Sequence, residues 1–248
     1  MTSEPTSGNT VAPLRNVSLL SELVVRIRDR PMGLPGMGCF HGPSGFGKSF
    51  AAMYSANKHR SYHVQVKSVW TRKKLVTAIL HEMGVNAAKT IPDMVDQIGE
   101  ELSLSGRPLL VDEADILVKK GGMIEVIRDL YESSQGTVIL IGEENLPHAL
   151  RQWERLHGRM LDWVPAQPAA LQDAKHLARL YAPGIDLADD LMNALVQAAA
   201  GSVRRICVNL DRVRERAEMA GASAFGLGEW AATGAEFFTG QPPARRAL

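Results

Sequence analysis

Eight residues, Gly42-Pro43-Ser44-Gly45-Phe46-Gly47-Lys48-Ser49, fit the pattern G-x-x-x-x-G-K-S/T at every fixed position. A short, largely apolar stretch, Met37-Gly38-Cys39-Phe40-His41, precedes them as a buried strand would. Ser49-Phe50-Ala51-Ala52-Met53-Tyr54 follows, with the small and apolar residues that open a helix. A chain built around this motif needs a strand, a tight glycine turn and a helix in that order. Such a turn aims successive backbone N–H groups into one concavity at the positive end of the helix dipole. The concavity suits a polyphosphate, with Lys48 reaching the β- and γ-phosphates and the Ser49 hydroxyl at one position of a Mg2+ ion.

Hydrophobic periodicity extends the α/β reading along the chain. Leu19, Leu20, Leu23, Val24 and Ile27 recur at helical spacing and predict a helix over about 18–30, broken by Pro31-Met32-Gly33-Leu34-Pro35-Gly36. Tyr62-His63-Val64-Gln65-Val66 reads as a second strand. A helix over about 71–83 turns Leu75, Ile79 and Leu80 inward and stops at Gly84. The next opens with Thr90 as N-cap and Pro92 and Asp93 in its first turn, and runs to about 104. Arg107-Pro108-Leu109-Leu110-Val111-Asp112-Glu113 is an unbroken apolar run ending in carboxylates, as in a central parallel strand covered on both faces. A helix over 123–132, a buried strand over 137–142 and a helix over 146–156 complete the alternation, which implies an open parallel sheet.

After Pro165 and Pro168 the pattern is helical only, near 173–181, 188–199 and 202–220. The expected organisation is a disordered tail over 1–14, a nucleotide-binding α/β domain over 15–165, a helical domain over 166–220 and a tail over 221–248. That last tail holds Phe225, Trp230, Phe237 and Phe238, which a purely disordered segment would not need. With 45% hydrophobic and 22% charged residues, the 248-residue chain has enough apolar material for a substantial core. A net charge of +1 means that any nucleic-acid contact must come from a local basic patch. Cys39 and Cys207 fall in different predicted domains and read as reduced, buried thiols. There is no long apolar run, and the N-terminus is polar, so the expectation is a soluble cytoplasmic protein without a membrane partner.

Hydrolysis of a triphosphate at such a loop needs one carboxylate on the metal's outer shell and a second to orient the attacking water. Asp112 and Glu113 supply both, Asp112 facing Mg2+ and Glu113 the water, with Asp115 a secondary candidate. A polar side chain past Gly142 is expected near the γ-phosphate, from Glu143, Glu144 or Asn145. Asn145 is the neutral hydrogen-bonding choice and Glu143 lies closer to the strand end; ordinary capping of the following helix explains the same residues. Arg159, with Arg155 in reserve, is a candidate to reach a phosphate bound by a neighbouring subunit, and reads equally as a surface arginine. Gly201-Ser202-Val203-Arg204-Arg205 opens the last long helix. Arg204, or Arg205, is a candidate to close on the nucleotide, since cations at a helix N-terminus are unfavourable without an anionic partner.

These parts in this order resemble an AAA+ ATPase over about residues 15–220. Within that family the chain is similar to the transposition-regulator group of the phage Mu B protein, the MuB/TniB/TnsC-like proteins. Leu14-Arg15-Asn16, the glycine-rich loop, Ile141-Gly142-Glu143-Glu144-Asn145-Leu146-Pro147, Trp153-Glu154-Arg155-Leu156-His157-Gly158-Arg159 and Gly201-Ser202-Val203-Arg204-Arg205-Ile206 carry the likeness. The resemblance implies a five-stranded parallel sheet sandwiched by helices, with a small C-terminal helical lid domain. It implies a slow, Mg2+-dependent ATPase that forms a helical homo-oligomeric filament on duplex DNA, with ATP at subunit interfaces and Arg159 acting in trans. The filament would select target DNA, deliver it to a transposase and leave when ATP is hydrolysed.

The Mu B protein carries an N-terminal helix-turn-helix domain. Here only about 15 polar residues precede the ATPase region, so DNA contacts are expected from the ATPase domain itself. Lys67, Trp70, Thr71, Arg72, Lys73 and Lys74 form the best basic cluster, at a strand end and a helix N-terminus where phosphate oxygens find donors. Lys119 and Lys120 form a second patch, and Arg245 and Arg246 are further candidates. Charge runs also serve as plain solvated surface. Backbone contacts of this kind carry little base specificity and are strongly salt-sensitive. A helicase-loader AAA+ ATPase and a signalling NTPase that never touches DNA share the core motifs, and a small-molecule kinase fits least.

Overall fold

The computed structural model describes residues 14–241. In chain order, helix α1 (Arg15–Arg28) precedes strand β1 (Met37–His41), α2 (Lys48–His59), β2 (Tyr62–Gln65), α3 (Arg72–Met83) and α4 (Ile91–Ser105). Then come β3 (Leu109–Asp112), α5 (Asp115–Lys119), α6 (Gly122–Ser134), β4 (Val138–Gly142), α7 (Leu146–Leu150), α8 (Glu154–His157) and β5 (Met160–Pro165). The chain divides into two compact units: Asn16–Ser44 with Lys48–Ala166 forms one, and the residues from Gln167 on, with Arg15 and Gly45–Gly47, form the other.

In the first unit five parallel strands lie in the order β2-β3-β4-β1-β5. All strand C-termini therefore share one edge of the sheet. β1 runs in register with β4 from Met37 opposite Val138 to His41 opposite Gly142, so the loop after β1 emerges beside the end of β4. That is where the order of connections reverses, the crevice in which open α/β sheets bind ligands. Every residue of β3 and β4 is buried, as their unbroken apolar runs require of strands covered on both faces. Leu20, Leu23, Val24 and Ile27 of α1 are buried as well. A Cβ on Gly38 would lie 2.2 Å from the Ile27 side chain, so glycine there permits the close approach of α1 to β1.

Local signals set several boundaries. The Thr71 hydroxyl accepts from Lys74 N–H at the start of α3, and Gly84 ends that helix in the left-handed region at φ 75°. Thr90 accepts from Asp93 N–H and Gly106 closes α4 the same way. Other boundaries differ from expectation. The helix predicted over 146–156 is two short ones, interrupted where Trp153 leaves helical geometry at ψ 68° and packs against the core. Helix α5 is too short for a periodic signal, and β5 is a half-buried edge strand without an apolar run. Leu14, placed in the disordered tail by composition, is buried; residues 1–13 of that tail lie outside the described residues.

The second unit contains α9 (Leu171–Tyr181), β6 (Asp186–Leu187), α10 (Asp189–Ala199), α11 (Val203–Met219), β7 (Ala224–Phe225) and α12 (Leu227–Ala232). Buried Asp173 accepts from Arg15 N–H and Ala170 N–H, both at 2.8 Å, which satisfies its two oxygens. β6 and β7 pair in parallel, correcting the helix-only reading. Phe225 and Trp230 are buried, Trp230 stacks on Phe237 at 4.9 Å, and Phe238 exchanges both backbone hydrogen bonds with Asn209. Residues 224–238 thus belong to this unit rather than to a tail. Two residues in two-residue strands and a six-residue helix leave no periodicity to read. Both cysteines are free, Cys39 buried and Cys207 only half-buried. Among the described residues no helix is long and apolar enough to cross a membrane.

Candidate nucleotide site

The loop between β1 and α2 is shaped by two glycines in the left-handed region, Gly45 at φ 87° and Gly47 at φ 81°, where a side chain would strain the backbone. Gly42 N–H donates to Gly142 O at 3.3 Å and ties the loop's base to the end of β4. Lys48 opens α2, and its Nζ donates to Gly42 O at 2.6 Å and Pro43 O at 2.9 Å. Burial pushes the Lys48 pKa down, while Glu143, then Asp112, Glu113 and Asp115, push it back up. Ser44 and Ser49 are exposed, and Pro43 and Phe46 are half-buried. Within the second unit Gly45 O accepts from Arg204 N–H at 3.3 Å and from the Ser202 hydroxyl at 3.5 Å. The Ser202 hydroxyl also caps α11 by accepting from Arg205 N–H.

Four carboxylates gather at the same sheet edge. Asp112, the last residue of β3, is only 2% exposed; its Oδ1 accepts from Glu113 N–H at 2.9 Å, and its buried Oδ2 has no hydrogen-bond partner. An unpaired buried carboxylate oxygen is costly and calls for a cation or donor beside it. Glu113 follows at φ 58°, the left-handed region, which costs a non-glycine residue about 1–2 kcal/mol. The turn is held because Ala114 N–H donates to Ile141 O at 2.9 Å. Burial raises the Glu113 pKa above the ordinary glutamate value, Asp112, Asp115 and Glu143 add to the rise, and Lys48 opposes it. Asp115 joins the ends of β3 and β4, its Oδ2 accepting from Glu143 N–H at 2.7 Å. Glu143, Glu144 and Asn145 are exposed, and the Asn145 side chain makes no capping bond to α7. Among the described residues no three His, Cys, Asp or Glu side chains converge on one metal position. A P-loop Mg2+ does not need them, because it draws on one hydroxyl, one carboxylate, waters and the phosphates themselves.

Arg159 stands at the other end of the sheet. Its carbonyl accepts from Met37 N–H at 3.1 Å, where β1 starts, whereas the glycine-rich loop follows the end of β1, about 13 Å along the strand. Its Nε donates to Glu132 Oε1 at 2.6 Å. Two cavities of about 610 Å3 each meet at Glu132, Gly158 and Arg159, one also lined by Arg28 and Tyr131, the other by Arg128 and Arg155. The pairing of Glu132 with Arg159 could not be read from the sequence, since Glu132 lies 27 positions away in α6 and Arg159 in the turn before β5.

The two basic patches are joined. Lys120 Nζ donates to Trp70 O at 3.0 Å, bringing the residues after α5 against the loop after β2. Lys67, Arg72, Lys73, Lys74, Lys119 and Lys120 are all exposed. Two members of the predicted contact set are otherwise occupied: Trp70 is half-buried against the core, and the Thr71 hydroxyl caps α3. Arg245 and Arg246 lie outside the described residues.

Residues 32–150 match the family model described as AAA domain. Among curated proteins none matches the sequence. Among solved structures, the chain is similar to Drosophila ORC bound to DNA, with TM-score 0.62 and 16% identity over 95% of this chain and 67% of that one. It is also similar to the Thermotoga maritima RuvB Holliday junction branch migration motor, with TM-score 0.63 and 17% identity over 91% of this chain and 72% of that one. The Aeropyrum pernix ORC1 protein in complex with DNA gives TM-score 0.60 and 18% identity over 88% of this chain and 64% of that one. The chain thus spans 64–72% of the length of these three. At such identities the likeness is one of fold: an α/β fold with a five-stranded parallel sheet, matching P-loop AAA+ ATPase structures.

Proposed function

We propose that this chain is an ATP-dependent DNA-binding AAA+ ATPase that assembles on duplex DNA, marks it as a transposition target and delivers it to a transposase. The observation that carries the ATPase part is the unpaired Oδ2 of buried Asp112, set at the sheet edge beside Glu113, Lys48 and the glycine-rich loop. On this reading Gly42, Pro43, Ser44, Gly45, Phe46, Gly47 and Lys48 cradle the phosphates, and Lys48 exchanges its bonds to the Gly42 and Pro43 carbonyls for β- and γ-phosphate oxygens. Ser49 and Asp112 would hold Mg2+. When bound, Mg2+ neutralises charge on the β- and γ-phosphates as the terminal phosphoryl group departs.

Glu113 orients the attacking water and takes its proton, a role suited to a carboxylate whose pKa is raised toward the working pH. Glu143 or Asn145 contacts the γ-phosphate side, and Arg204 couples the second unit to the phosphate state. Arg159, at the far edge of the sheet from its own loop, serves the site of the next subunit in a head-to-tail assembly. Lys67, Arg72, Lys73, Lys74, Lys119 and Lys120 contact phosphates of the duplex.

The transposition role is supported by the sequence likeness to the Mu B group, and duplex binding additionally by two fold neighbours solved with DNA. Retention of plain duplex DNA on filters, with and without ATP and Mg2+, tests it, together with electron microscopy in a slowly hydrolysed ATP analogue. ATP-promoted retention and helical particles are expected. A protein that stays monomeric and unbound at low salt would remove the proposal.

A further inference from the structure

We propose that Glu132 is a positioning residue for Arg159, ordering its guanidinium for the neighbouring subunit's phosphates; this rests on the trans role assigned to Arg159 above. Glu132 lies in the last turn of α6 and Arg159 just ahead of β5, so their pairing is made by the fold and not by local sequence. The Arg159 backbone is fixed to the sheet through its bond from Met37 N–H. Its long side chain is held by the 2.6 Å bond from Nε to Glu132 Oε1. That bond uses one of five guanidinium N–H donors and leaves both terminal amino groups, Nη1 and Nη2, for an incoming anion.

Both side chains are part exposed, at 46% and 39%, and stand where the two cavities meet, so the tip of the guanidinium is open to a second copy. An ion pair this exposed adds little to folding stability. Its consequence is geometric: a rotamer-rich side chain already ordered in the free subunit loses less freedom when it engages a phosphate.

The test uses the full chain on duplex DNA with saturating ATP and Mg2+, comparing wild type, Arg159→Ala, Glu132→Ala and Glu132→Gln. Glu132→Ala should lower kcat about 3- to 10-fold, the loss expected from disordering one long side chain, with KM for ATP and Tm unchanged. Glu132→Gln should keep at least half of the wild-type rate, because its amide oxygen still accepts the Nε bond. In mixed assemblies, Glu113→Gln subunits lend an intact arginine to Arg159→Ala subunits and should restore turnover; donors that also carry Glu132→Ala should restore less. Unchanged or faster turnover by Glu132→Ala, or Glu132→Gln as slow as Glu132→Ala, would overturn the proposal. So would a fall in Tm that tracks the fall in kcat. If Arg159→Ala itself runs at the wild-type rate, the trans reading beneath has failed; if it is slow while Glu132→Ala is normal, only the role of Glu132 has.

Discussion

The two edges of the five-stranded sheet differ in charge and in how each holds its charged groups. At the C-terminal edge Asp112, Glu113, Asp115 and Glu143 surround Lys48, partly buried and tied by backbone bonds to strand ends. At the N-terminal edge Arg28, Arg128, Arg155 and Arg159 line open cavities, and Arg128 and Arg159 pair with Glu125 and Glu132 in part-exposed bridges. The first edge is preorganised and costs stability, in a strained backbone and an unpaired oxygen. The second has a strained residue too, Gln135 at φ 50° on the wall of one cavity, but its charges stand in part-exposed pairs. On the function proposed above, the N-terminal edge of one copy would meet the C-terminal edge of the next, the head-to-tail arrangement that extends without closing when the rotation does not return on itself.

If the C-terminal edge holds the nucleotide, Lys48→Ala should remove ATP binding and DNA assembly together; calorimetry with an ATP analogue measures the first and filter retention the second. If the other edge serves a neighbour, Arg159→Ala should leave ATP binding intact and cut DNA-stimulated turnover on the order of 10³-fold. Phosphate release would then become independent of protein concentration. Glu113→Gln should slow turnover on the order of 10²-fold while ATP still binds, so that DNA complexes outlive those of the wild type in a competitor-chase experiment.

Charge reversal at Lys67 and Lys74 sharpens the comparison in a third place, the joined basic face. Each should weaken duplex binding similarly for unrelated sequences and flatten its dependence on salt, read from titrations at several ionic strengths. The smallest expected effect concerns pH. Glu113 is raised in the folded state, so its charge is lost as pH falls through a value above 4.5, and turnover should fall there too. For stability the sign is opposite: the penalty of a half-buried Glu113 among like charges is present above its folded pKa and is relieved as pH falls. Glu113→Gln should abolish that contribution to the pH dependence of Tm.

What the sequence disclosed follows the length and continuity of its signals. The glycine-rich loop, β3 and β4 were legible because unbroken apolar runs and two obligatory glycines leave few alternatives. Gly84 and Thr90 marked helix ends through capping chemistry that acts within three or four residues. β5 escaped because an edge strand is only half-covered and needs no apolar run, and β6 and β7 because two residues show no period. The candidate site was legible as a set of types, not as geometry. Nothing in the order of residues told that Asp115 would bridge two strand ends, that Lys120 would close on the loop after β2, or that Glu132 would meet Arg159.

The backbone of Glu113 sets robustness against usefulness. Glycine would sit at that left-handed position more comfortably, but would lack the carboxylate to which the water-orienting role is assigned above. Glu113→Gly should therefore yield a protein about 1 kcal/mol harder to unfold than Glu113→Ala, as denaturant midpoints would reveal, and an idle one. Drift at this position toward the sturdier residue would be rewarded by folding and punished by loss of work.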